Sequence, residues 1–169
     1  MATNKISYPA ASTTALTFAI GTLASDSGLL AGRASTAVDN TTTLDLDHIV
    51  SGSLTVGTTP TASTIIEVYA YAAKSIASNV PTYPDSITGT DATKTMSSRG
   101  VMGAALRQVG LVIVDSATTG RVYDLAPTSI AALFGGVMPR FWGLFVVHNN
   151  VAAMGSGAFQ FDRVQTTTA

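Results

Sequence analysis

The stretch Ile65-Ile66-Glu67-Val68-Tyr69-Ala70-Tyr71 decides the fold class. It alternates with a period of two. Ile66, Val68 and Ala70 share one face, and Ile65, Glu67, Tyr69 and Tyr71 share the other. β-Branched and aromatic side chains in that pattern suit a pleated sheet. The same pattern recurs toward the N-terminus. Leu54 and Val56 continue a strand after Ser51-Gly52-Ser53, Leu44 and Leu46 alternate with Asp45 and Asp47, and Leu30 to Val38 reads as a weaker strand. Leu16, Phe18 and Ile20 alternate with Thr17, Ala19 and Gly21. Turn clusters separate these runs: Ser25-Asp26-Ser27-Gly28, Asp39-Asn40 and Gly57-Thr-Thr-Pro60.

Toward the C-terminus, residues 74–99 carry Pro81, Pro84 and many Thr, Ser and Asp. Long unstructured segments are uncommon in compact domains and are often functional, so a contact loop is expected there. Leu106 to Val114 is an apolar run rich in β-branched residues, read as a buried strand. Asp115 to Gly120 closes a hairpin onto Arg121-Val122-Tyr123-Asp124-Leu125. The segment Pro127 to Gly136 carries the single helix signal, with Thr128 or Ser129 as cap and Gly135 as stop. Strands follow over Arg140–His148 and Phe159–Val164. About eight short strands, one short helix and no βαβ alternation predict an all-β protein, an antiparallel β-sandwich of jelly-roll-like type. Residues 1–14 are small, polar and broken by Pro9, and read as an extended N-terminal arm. Residues 15–165 form one sandwich domain and 166–169 a C-terminal tail.

Composition narrows the function. The 169 residues are 46% hydrophobic but only 11% charged, less than half of the ~25% usual for soluble domains. Glu67 is the one glutamate, and Lys5, Lys74 and Lys94 are the only lysines. A net charge of −1 leaves no electrostatic footprint for nucleic acid or an anionic membrane. Cysteine is absent, which removes disulfides, thiolate metal sites and a cysteine nucleophile. The start, Met1 to Ser7, lacks the apolar core of a signal peptide, and no run of 18 apolar residues predicts a membrane helix.

The residues that carry chemistry are few. His48 and His148 are the only histidines. In Asp45-Leu46-Asp47-His48, strand alternation puts the two carboxylates on one face and the imidazole on the other, so a solvated strand edge is expected rather than a metal site. His148 beside Asn149-Asn150 reads as a turn residue. No nucleophile elbow, zinc-protease or P-loop pattern occurs. The aspartates sit beside turn residues and suit Asx-turns. The loop from Asp85 to Asp91 lacks the EF-hand pattern for calcium. No catalytic residue, metal or cofactor is expected. Trp142 alternates with Phe141 and Phe145, so those two are assigned to the core. Trp142 is then placed on the outer face or in an interface, where it could serve as a glycan platform. Tyr69 and Tyr71, on one face with Glu67, form a second candidate interface or glycan platform.

A charge-poor surface of Thr, Ser and Ala suits packing against other subunits more than free solution. Six arginines against three lysines point the same way, since the planar guanidinium favours fixed contacts. The stretches ALTFAIGTLASDSGLLAGRASTAVDN (15–40) and PRFWGLFVVH (139–148) resemble those of small virion structural proteins of tailed bacteriophages, most closely head decoration (cement) proteins with a jelly-roll-like fold. That resemblance implies a non-enzymatic homo-oligomer, a trimer in such proteins, on the outer surface of the capsid. It would bind across subunits of the major capsid protein. It implies no site residues, because no motif is shared. A tail or adaptor component, or a jelly-roll module binding host glycans, is the alternative reading.

Overall fold

The protein, a computed structural model describing residues 4–9, 13–78 and 80–168, is an all-β antiparallel sandwich. Its strands are β1 (Asn4–Ser7), β2 (Thr13–Ala15), β3 (Ala31–Ala34), β4 (Val38–Asp39), β5 (Asp47–Val56), β6 (Ile65–Ala72), β7 (Ser75–Ala77), β8 (Val80–Thr82) and β9 (Ala92–Thr95). Helix α1 (Arg99–Ala105) leads into β10 (Arg107–Ile113) and β11 (Val122–Ser129). Then come α2 (Ile130–Leu133), β12 (Phe141–His148) and β13 (Met154–Thr168).

Eight of these strands pair like a long hairpin folded double. The first meets the last, and so on inward: β2 with β13, β3 with β12, β5 with β11, β6 with β10. Rolling that hairpin brings β13 against β5 and β12 against β6. The result is one sheet in the order β1-β13-β5-β11, with β2 also on β13, and a second in the order β10-β6-β12-β3-β9, with β4 also on β12. Between them lies the main core, with Phe18, Ile20, Leu54, Val68, Trp142, Leu144 and Phe161.

A second core lies on the far side of the six-stranded sheet. There Tyr69, Tyr71, Phe145 and Val147 meet Tyr83, Ile87, Met96, Met102 and Leu106. The segment read as a contact loop is therefore a cover. It forms the hairpin β7–β8, adds β9 to the sheet edge and ends in α1. Covered on both faces, the middle of β6 and all of β12 after Phe141 are buried, a pattern more usual in parallel sheets.

Several local expectations are corrected. Helix α1 went unpredicted because Gly100 and Gly103 depress helix propensity over seven residues. The helix is held by the Ser98 hydroxyl, which accepts from the Val101 amide, and by buried Met102. The expected helix over 127–136 shrinks to Ile130–Leu133, because Thr128 and Ser129 pair with Val50 and Ile49 in the sheet. Leu16, Phe18 and Ile20 point inward as expected, but their segment makes no ladder. It crosses between sheets instead: the Leu16 amide donates to Phe159 and the Thr17 carbonyl accepts from Thr36. Of the expected arm, residues 1–3 and 10–12 lie outside the described residues, as does Ala169 of the expected tail. The described remainder of arm and tail pair with each other, Lys5 opposite Thr167 and Ser7 opposite Gln165. The two termini thus make one two-stranded ribbon.

Candidate functional site

The Asp45–His48 corner reverses its predicted faces. Leu44 is 72% exposed, while Asp45 is 4% exposed. Leu44 has a positive φ of 49°, which breaks the alternation on which the reading rested. Asp45 turns inward because three donors meet it there. The Arg163 guanidinium donates Nε–H to Oδ2 at 2.9 Å and a second N–H to Oδ1 at 3.2 Å. Gln165 also donates to Oδ1, and His48 Nε2 stands 2.9 Å from Oδ2. Strand pairing of β13 with β5 sets Arg163 directly opposite His48. The sequence separation of more than a hundred residues between Asp45 and these two β13 donors hid the cluster from a linear reading.

Trp142 completes this network and corrects its predicted position. It has no exposed surface, and its indole N–H donates to His48 Nδ1 at 2.8 Å. His48 Nδ1 is therefore an acceptor, so Nε2 carries the proton and donates it to Asp45. Both ring nitrogens are committed, and the ring stacks near Phe161 at 4.4 Å between centroids. Burial lowers the His48 pKa, against the opposing pull of Asp45. Burial alone would raise the Asp45 carboxyl. Hydrogen bonds from Arg163, His48 and Gln165 outweigh it and hold that carboxyl well below the usual carboxylate range. A histidine with no free lone pair, beside a carboxylate already satisfied, is built to hold a corner of the fold rather than to move protons.

The other predicted platform is inside as well. Tyr71 is fully buried, and its hydroxyl donates to the Ser35 carbonyl at 2.7 Å. Tyr69 is 8% exposed. Beside it Glu67 takes a bidentate pair from Arg99 at 2.5 and 2.9 Å, which ties α1 to β6. The platform expectation for Trp142, Tyr69 and Tyr71 fails because the 74–106 cover and the opposite sheet occupy both faces of β6 and β12. His148, expected in a turn, is buried at the end of β12 and lies 2.9 Å from the Leu23 carbonyl. In the 85–91 loop, Asp85 accepts from the Ser97 amide and hydroxyl. Asp91 accepts from the Ala19 amide and from Arg33. Among the described residues no cluster of three or more His, Cys, Asp or Glu is arranged to hold a metal.

Among the described residues the outer surface exposes several large apolar side chains. Ile6, Tyr8, Leu111, Ile113, Val122 and Val137 are all exposed. Leu44, Leu46, Val137 and Met138 line one shallow depression of about 310 Å³ beside the exposed Arg140. Ser51, Ser53, Asp124 and Gln160 line a second, about 410 Å³, on the outer face of the five-stranded sheet. Both hollows are wide open, unlike the enclosing clefts that bury small ligands. No helix among the described residues is long and apolar enough to cross a membrane. Compared with known proteins, the chain matches no family model, no curated protein and no solved structure.

Proposed function

We propose that the protein is a non-enzymatic structural subunit of a bacteriophage virion, a decoration protein that stabilises the capsid from outside by binding across major capsid protein subunits and copies of itself. The observation that carries this reading is the division of polar and apolar groups. The titratable clusters Asp45–His48–Arg163, Glu67–Arg99 and Asp91–Arg33 are spent inside the fold or on its seams. The surface instead exposes large apolar side chains in a chain with only 11% charged residues. Such a surface suits contacts between subunits, where long charged side chains are costly to desolvate and order. The sandwich is read as a jelly roll, a reading supported by the nested pairing of its eight principal strands. The glycan-binding alternative loses its residues, since Trp142 and Tyr71 have no exposed surface.

Quantitative mass spectrometry of purified virions tests the proposal through the copy number relative to the major capsid protein. A number comparable to that protein is the expected result. A few copies per particle would move the protein to a tail or adaptor position, and its absence from particles would overturn the virion reading. Incubation with stripped heads is a second test. Co-sedimentation is expected with assembled shells and not with unassembled capsid subunits.

A further inference from the structure

Five of the six arginines donate to a carboxylate or a carbonyl inside the fold. Among the described residues the sixth, Arg140, makes neither a hydrogen bond nor a salt bridge. It is exposed at the rim of the apolar depression formed by Leu44, Leu46, Val137 and Met138. Asp39, which shares a separate hollow with Arg140, accepts from the Thr41 amide and forms no salt bridge with it. In the depression Leu44 and Val137 are 72% and 73% exposed. Leu44 also holds a positive φ of 49°. A leucine in that conformation with its side chain in water is unfavourable twice over, and a covering surface removes one of the two costs.

The acids show the same division. Of the ten, every one but Asp124 accepts a hydrogen bond within the fold. Asp124 is exposed on β11, two residues from Val122, which is 54% exposed. Val122 and Asp124 pair with Thr55 and Ser53 of β5, in the outward alternation of Ser51. Both side chains therefore project from the outer face of the five-stranded sheet, about 7 Å apart. The nearby Arg121 is tied to Asp115 and leaves Asp124 unneutralised. A carboxylate with a valine beside it is the complement of a guanidinium beside an apolar hollow. The two patches cannot meet within one molecule. Asp124 lies opposite Ser53, while the depression lies beyond Asp47, the first residue of β5. Six residues of extended strand separate them by about 20 Å, farther than an arginine side chain reaches. A second copy is the occupant that supplies the carboxylate, and arginine's planar fork takes a carboxylate at two points.

We propose that the Val122–Asp124 face of one copy docks on the Leu44–Val137–Met138 depression of a second copy. Asp124 pairs with Arg140 at the rim, and Val122 sits among the apolar side chains. The two patches differ, so every copy gives one such contact and receives another. This deepens the self-association in the proposed function and rests on that reading for its purpose.

Sedimentation of the isolated wild-type chain is expected to show concentration-dependent association that added salt weakens. Asp124→Arg and Arg140→Asp should each raise the apparent dissociation constant about tenfold or more, by setting like charges face to face. Asp124→Arg and Arg140→Asp combined in one chain restore an opposite pair and should recover most of the wild-type association. Both positions are exposed, so the variants should keep the fluorescence of buried Trp142. Lys94→Glu, on β9 at the edge of the other sheet, is the charge control and should leave association unchanged. A wild-type chain that stays monomeric at its highest soluble concentration would overturn the proposal. So would single reversals that associate like the wild type, or a double reversal as weak as the singles. Only isolated protein is used, so the two readings fail separately. Association through this pair with absence from virions overturns the virion reading alone. A particle component whose single reversals associate like the wild type overturns this contact alone.

Discussion

Asp45, His48 and Trp142 are the residues whose environment departs most from their place in the sequence. A carboxylate between two leucines became the buried end of a chain of hydrogen bonds running from the indole through the imidazole to Arg163 and Gln165. Removing one partner of such a cluster leaves the others desolvated. Asp45→Ala is expected to cost about 3 kcal/mol or more in urea unfolding, whereas an exposed control such as Asp124→Ala should cost little. The histidines set the pH response. Burial pushes both His48 and His148 below their ordinary value of 6.5. The unfolded chain therefore binds protons that the folded chain refuses once the pH drops below that value. Stability should be full above about pH 6.5 and decline on acidification. The lowered Asp45 carboxyl acts the same way only at far lower pH, as the solution falls through its folded value. A melting temperature that stays flat from about pH 8 to about pH 5 would contradict this account.

Among the elements, the cover and the terminal ribbon make opposite predictions. The cover is held by Met96, Met102 and Leu106 against Tyr71 and Phe145. Met102→Ala is expected to cost about 2–5 kcal/mol by opening a cavity. Strand β12 meets β6 with Gly143 opposite Tyr71, whose ring lies over the glycine. A Cβ at Gly143 would stand 2.4 Å from that ring. Gly143→Ala should therefore destabilise by about 1–3 kcal/mol through overpacking. By contrast, the described part of the ribbon pairs only with the end of β13 and exposes Ile6 and Tyr8. Deleting residues 2–12 should leave the melting temperature nearly unchanged while weakening assembly. Loss of folding on that deletion would show that the ribbon belongs to the core.

At the scale of the whole molecule, β6 and β12 supply side chains to both cores. Sandwich and cover should therefore unfold together. Trp142 is the single tryptophan and reports the main core. Its fluorescence and the far-ultraviolet circular dichroism should trace one coincident denaturant transition. Separate transitions would mean that the cover melts independently. Nested pairing also makes most contacts distant in sequence, and slow folding follows from the loop-closure cost of such contacts.

Period-two alternation in Ile65–Tyr71 and Phe159–Val164 and the β-branched run Leu106–Val114, with turn chemistry between, determined by themselves that the chain is an antiparallel β-sandwich. Those signals are local: they need only neighbours in sequence and a pleated backbone. Whether a given strand face meets solvent, a partner or the protein's own interior is not a local property. Trp142 was assigned the wrong face, for it points into the main core between the sheets; Tyr69 and Tyr71 were placed at the surface because a two-layer sandwich leaves one face of each sheet open. The 74–106 segment closes that face with residues whose glycines, prolines and small polar side chains carry no periodic signal. The Asp45–His48–Arg163 cluster was illegible for a related reason. Its members meet only through the pairing of β13 with β5, and one residue with positive φ, Leu44, inverts the alternation that would have shown which face Asp45 takes. Chain periodicity decided the class of structure, and long-range pairing decided which of its side chains are free to meet another molecule.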